Sequence, residues 1–116
     1  MRFKRWQDMP LGGMILEAGN SVEYHTGDWR AYRPVFGKAA CTHCFLCWLY
    51  CPDSSILVDT ESEKMVGFDL DHCKGCGICA AVCPVNARLK RQIDDRGKED
   101  ERLCIRMIEE PRGEGR

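Results

Sequence analysis

Apolar runs near the ~18–20 residues that a membrane-spanning helix needs are missing from this 116-residue chain. The opening Met1-Arg-Phe-Lys-Arg-Trp6 has the charge of a signal peptide, but Gln7, Asp8, Pro10, Gly12 and Glu17 deny it an uninterrupted apolar core. Both absences read as a cytoplasmic protein with no membrane partner. An excess of one charge is lacking too: 17 Lys and Arg stand against 18 Asp and Glu. That balance leaves no electrostatic footprint for nucleic acid or an anionic surface. The chain also has length for only one domain of about 100 residues with short arms.

Cysteine is what the chain has in excess, nine in all. In a reducing compartment these are metal ligands or redox groups rather than a disulfide framework, and an odd total pairs badly. Eight of them fall into two runs. Cys41, Cys44, Cys47 and Cys51 are followed by Pro52; Cys73, Cys76, Cys79 and Cys83 are followed by Pro84. Both runs read C-x2-C-x2-C-x3-C-P, every position is offset by 32 residues, and Phe36 and Phe68 obey the same offset. One supersecondary unit is therefore used twice. The segment 41–84 that holds the runs is acidic, with two basic and six acidic residues.

Three thiolates two residues apart can wrap a tight loop around three corners of an iron–sulfur cubane, while the fourth points elsewhere. Structural zinc is the competing reading, but it prefers C-x2-C pairs separated by a longer loop and has no use for a third cysteine at the same interval. The run resembles that of bacterial two-cluster ferredoxins, in which the fourth cysteine ligates the other cluster. The resemblance implies that Cys41, Cys44, Cys47 and Cys83 hold one 4Fe-4S cluster and Cys73, Cys76, Cys79 and Cys51 a second. Pro52 and Pro84 are expected to stop the turn after each last ligand.

The second loop has Gly75 and Gly77 to turn its N–H groups toward sulfur, whereas the first has His43 and Phe45, which makes a less permissive backbone. His43 reads either as a group coupling reduction to protonation or as a packed surface residue. Trp48, Leu49 and Tyr50 are expected to keep water off the cubane or to fill the core. Ile56-Leu-Val58 and Met65-Val-Gly-Phe-Asp-Leu70 flank a polar stretch and predict a β-hairpin, with short helical turns after Cys47 and Cys79. The fold class is α+β, a pseudo-twofold two-cluster ferredoxin-like module with an extended N-terminal arm and a helical C-terminal tail. Its parts are a partner-binding arm over 1–35, the ferredoxin domain over 36–90 and a charged tail over 91–116.

A narrower resemblance lies in Thr26-Gly-Asp-Trp-Arg30, Arg33-Pro-Val35, Cys47-Trp-Leu-Tyr-Cys-Pro-Asp53 and Asp71-His-Cys-Lys-Gly-Cys-Gly-Ile-Cys79. Together they resemble the ferredoxin-like delta subunit of 2-oxoacid:acceptor oxidoreductases of the pyruvate, 2-oxoisovalerate and phenylglyoxylate type. The resemblance implies an electron-transfer subunit without catalytic residues of its own. Its implied partners are catalytic subunits that bind thiamine diphosphate and coenzyme A, and a ferredoxin or another electron acceptor protein. A free-standing soluble ferredoxin is the alternative.

Outside the module, Trp6, Tyr24, Trp29, Tyr32 and Phe36 are interleaved with Arg5, Arg30 and Arg33, residue types that dominate interface hot spots. Cys104, the ninth cysteine, has no partner at short spacing and is expected not to be a ligand. Lys98 to Glu110 lacks Gly and Pro, begins acidic and ends at Pro111; Leu103, Cys104, Met107 and Ile108 recur at i and i+4. That pattern predicts an amphipathic docking helix.

Overall fold

β-Branched and aromatic residues concentrate in four short segments, and each is a strand in the computed structural model of the chain, which describes residues 4–90 and 102–111. They are β1 (Tyr32–Phe36), β2 (Ile56–Asp59), β3 (Lys64–Phe68) and β4 (Ile105–Glu109). β2 and β3 form the expected antiparallel hairpin, with a bulge between Leu57 and Val58. β1 pairs antiparallel with β4, Tyr32 opposite Glu109 and Phe36 opposite Ile105. Pro34 is accommodated because a two-stranded ribbon leaves its missing N–H on an edge.

Two five-residue helices, α1 (Leu46–Tyr50) and α2 (Ile78–Val82), each carry the third cysteine of a run and pack against one another. The 32-residue offset maps β1 onto β3 and α1 onto α2 residue for residue. The related rings Phe36 and Phe68 meet edge to face, 6.3 Å between centroids. A third helix, α3 (Pro84–Lys90), has no counterpart in the first half. α2 ends directly before Pro84, with Cys83 extended, and Pro84 then opens this helix at the place where its missing N–H costs nothing.

The tail corrects the sequence reading. From Ile105 to Glu109 the chain is strand β4, and the expected helix does not form there; residues 98–101 lie outside the described residues. A short helix would bury one narrow stripe, whereas the strand buries Ile105 and satisfies the free edge of β1. Asn86 on α3, 1% exposed, fixes the strand's entry. Its side-chain amide donates to the carbonyls of Ala80 (3.1 Å) and Ile105 (2.7 Å), and its oxygen accepts from Cys104 N (2.9 Å) and Ile105 N (3.3 Å). The packed module therefore crosses both expected boundaries, taking β1 from the arm and β4 from the tail.

Arg30 and Arg33 are likewise internal clamps and not surface hot spots. Glu110 accepts two forks: Arg30 Nε and Nη2 at 2.8 and 3.2 Å, and Arg33 Nε and Nη2 at 2.9 and 2.8 Å. Arg30 Nη1 also donates to the carbonyls of Gly27 (3.0 Å), Leu70 and Cys73 (3.4 Å). One guanidinium thus ties the arm, the tail and the second cysteine loop together. A Cβ on Gly27 would lie 2.0 Å from the Leu70 carbonyl oxygen, so only glycine lets the arm approach this closely.

Before Thr26 the arm runs through short 3-10 turns that bury none of their residues. Trp6 is 79% exposed, Leu11 94% and Leu16 74%. His72 fastens it close to the module, with Nε2 3.0 Å from the Val22 carbonyl oxygen and Nδ1 2.8 Å from Asp69 Oδ2.

Candidate metal centre

Cysteine is the core of this module. Among the described residues the buried apolar side chains are Pro34, Ile56, Met65, Leu103, Ile105 and the four cysteines Cys47, Cys79, Cys83 and Cys104. Such a small core cannot by itself hold a chain of this size, so whatever the thiols bind belongs to the stabilising structure.

The thiols line two cavities. The first is walled by Cys41, Cys44, Cys47 and Cys83, with Met65, Cys104 and Ile105. The second is walled by Cys73, Cys76, Cys79 and Cys51, with Pro34, Phe68 and Met107. Each cavity takes three cysteines from one run and the fourth from the other. No three His, Cys, Asp or Glu donors among the described residues close on one point at single-ion distance. The thiols ring each space instead, a donor set that suits a group with several corners.

The loops are the same in both halves. Gly75 and Gly77 have φ of 67° and 79°; His43 and Phe45, at the matching positions, have φ of 56° and 63°. The first loop therefore adopts the left-handed turns without glycine, at roughly 1 kcal/mol or more per residue. The less permissive residues of the first loop thus take the same backbone as the glycines of the second. The conformation aims amides at sulfur in both loops: His43 N donates to Cys41 Sγ at 3.3 Å, and Gly75 N to Cys73 Sγ at 3.4 Å. At Gly75 a side chain would also strike the Tyr32 carbonyl oxygen, 1.9 Å from an ideal Cβ.

His43 is half-buried, not a surface residue. Its Nδ1 accepts the Met65 N–H at 3.1 Å and lies 3.6 Å from Cys41 Sγ. Trp48, Leu49 and Tyr50 line neither cavity and are 53, 65 and 55% exposed, so they neither shield a cubane nor fill the core.

Burial pushes the Cys47 and Cys73 thiols up and takes Cys79 up to about 12. At Cys73 the Arg30 charge works the other way. Buried thiols of this kind keep their protons until a metal displaces them, which couples metal binding to proton release. Cys104, absent from the expected ligand set, is 2% exposed and stands on the wall of the first cavity. Its only sequence signal is the missing counterpart of β2 in the second half.

Twofold cysteine loops around paired cavities define a two-cluster iron–sulfur electron carrier. Residues 35–90 match the 4Fe-4S dicluster domain family. Over 87 residues the chain is 49% identical to pyruvate synthase subunit PorD of Thermotoga maritima, covering 75% of this chain and 86% of that protein. It is 48% identical over 58 residues to the delta subunit of NADH-dependent phenylglyoxylate dehydrogenase of Aromatoleum evansii, 50% of this chain and 59% of that one. Ketoisovalerate oxidoreductase subunit VorD of Pyrococcus furiosus is 42% identical over 60 residues, 52% of this chain and 55% of that one. The chain belongs to the ferredoxin-like delta subunits of 2-oxoacid oxidoreductases. It carries two 4Fe-4S clusters and is an electron-transfer subunit. No helix among the described residues is long and apolar enough to cross a membrane.

Proposed function

We propose that Cys41, Cys44, Cys47 and Cys83 hold the first 4Fe-4S cluster, and Cys73, Cys76, Cys79 and Cys51 the second. The chain would then relay electrons from the catalytic subunits of a 2-oxoacid oxidoreductase to an acceptor protein such as a ferredoxin. The composition of the two cavities carries this reading, since each offers four thiols in the crossed arrangement. Each cluster supplies one-electron storage; the protein holds it by thiolates, donates His43 and Gly75 amides to the sulfurs, and places the Arg30 charge beside Cys73. Thiamine diphosphate and coenzyme A belong to the catalytic subunits in this reading, and the compartment is the reducing cytoplasm, where unpaired thiols persist. The protein purified anaerobically is expected to hold about eight irons and eight sulfides per chain. A colourless chain with one or two zinc ions would overturn the assignment.

The arm favours a subunit over a free-standing carrier. Trp6, Leu11, Ile15 and Leu16 are all at least 70% exposed, more apolar surface than a freely diffusing carrier would hold in water. A catalytic subunit is the cover this reading assigns. Deleting residues 1–22 is expected to leave the iron content unchanged and to abolish co-purification with the catalytic subunits; retention of the complex would place the attachment elsewhere.

A further inference from the structure

Each cysteine loop comes to the surface at one residue. The second cysteine of each run, Cys44 and Cys76, is exposed, whereas Cys47, Cys79 and Cys83 are buried. Electron transfer weakens steeply with distance, so a relay takes its electron in at one of these edges and releases it at the other. The two loops share a backbone; what tells them apart is the arm.

The arm is laid on the second loop. Gly27 N–H donates to the Asp71 carbonyl at 2.7 Å, and His72 Nε2 lies 3.0 Å from the Val22 carbonyl oxygen. Arg30 Nη1 reaches the carbonyls of Leu70 and Cys73. The Lys74 ammonium sits over the Trp29 ring, 5.8 Å from its centroid, and 3.5 Å from Asp53 Oδ1. Tyr24 packs edge to face on Trp29, 6.2 Å between centroids, and both rings stay exposed. In the first loop the place of Lys74 belongs by the 32-residue offset to Thr42, which is exposed. The neighbour of that loop is the hairpin, through Met65 N–H on His43.

We propose that the second cluster is the electron entrance and the first the exit: the catalytic subunit that takes the apolar arm also covers the loop of Cys76, which leaves Cys44 to the acceptor protein. The inference rests on the subunit role and the ligand assignment proposed above. Trp6, Leu11 and Leu16 need a cover, and the same segment runs on through Tyr24 and Trp29, residue types that anchor interfaces, down to the second loop. A partner that holds its beginning therefore meets its end. The bonds at Gly27, Arg30 and His72 fix the distance between that partner and the second cluster. One electron at a time enters at the Cys76 edge, passes to the first cluster and leaves at the Cys44 edge, so each cluster returns to its oxidised form. Two such passages clear the electron pair released when one 2-oxoacid is oxidised.

The test uses the assembled complex under anaerobic conditions. Lys74→p-benzoylphenylalanine should cross-link to a catalytic subunit on irradiation, and Thr42→p-benzoylphenylalanine, at the matching repeat position, should not. The reverse pattern, links from both positions or links from neither would overturn the proposal. Electron paramagnetic resonance then follows the electron itself. The probe is whichever of pyruvate, 2-oxoisovalerate and phenylglyoxylate reduces the wild-type complex in the presence of coenzyme A. In the Cys83→Ala complex, which lacks the first cluster, this 2-oxoacid should still reduce the second. In the Cys51→Ala complex it should leave the first cluster oxidised, although dithionite reduces it. A first cluster reduced by the 2-oxoacid in Cys51→Ala would overturn the proposal. Failure of the subunit role is separate: no catalytic subunit would co-purify with the wild-type chain, or none of the three 2-oxoacids would reduce it. Failure of the ligand assignment would show as Cys83→Ala sparing the first run's cluster.

Discussion

Cys83→Ala is expected to remove about half of the iron, and the cluster it removes is the one seated in the loop of Cys41, Cys44 and Cys47, more than thirty residues upstream. Cys83 is 7% exposed and faces the first cavity together with those three cysteines, while its own run lines the second. Cys51→Ala should do the reverse and strip the cluster of Cys73, Cys76 and Cys79. Iron analysis with electron paramagnetic resonance of the two reduced variants separates the outcomes. Each substitution destroying the cluster of its own run would refute the crossed assignment. The effect should be large because three thiolates leave one corner of a cubane without its ligand, and Met65, Val85 and Ile105 on the same wall offer no replacement.

Glu110→Ala should cost about 3–5 kcal/mol, the usual penalty for stranding one partner of a buried ion pair. The Arg30 and Glu110 side chains are 6% and 4% exposed, so Arg30 would keep its charge in a site that water does not reach. The same carboxylate sets an acid limit. Hydrogen bonds from Arg33 and then Arg30 hold Glu110 at about 2, against an ordinary 4.5. A carboxyl depressed by folding stabilises the fold fully above its unfolded value, and that stabilisation is lost as pH falls. The window therefore runs from about 4.5 down to about 2, and the difference is worth roughly 3 kcal/mol. Pepsin cleavage of β4 should accelerate across that window in the wild type. In Glu110→Gln the strand should be vulnerable at its upper edge already. Equal cleavage of both proteins at pH 4.5 would show that the clamp contributes nothing.

The cysteine loops were readable because ligand chemistry is local: spacing, offset and the hairpin between the runs all lie within stretches of a few residues. The tail was not, because Ile105, Met107 and their neighbours fit a helical stripe and a strand alternation alike over so short a stretch. What decides between them is the edge of β1, about seventy residues earlier. The repeat held an unused clue: β1 is the image of β3, and β3 has a partner in β2, so β1 had to find one. Helix α3 occupies the place where that partner would follow Cys83, which displaces it to residue 105. The Arg30–Glu110 pair, 80 residues apart, and the Asn86 lock left no sequence signature at all. At His43 and Phe45 the residue types carried no sign of the left-handed backbone that these positions share with Gly75 and Gly77.

Interlacing of the two runs also imposes an order on the birth of the protein. A nascent chain that has emerged as far as Cys79 already carries all four thiols of the second cavity, from Cys51 onward. The first cavity must wait for Cys83 to appear, and its last wall, Cys104 and Ile105, arrives later still, after α3 has formed and presented Asn86 to receive it. Maturation on the ribosome would thus run backwards along the chain, with the loop made first being the last to be sealed.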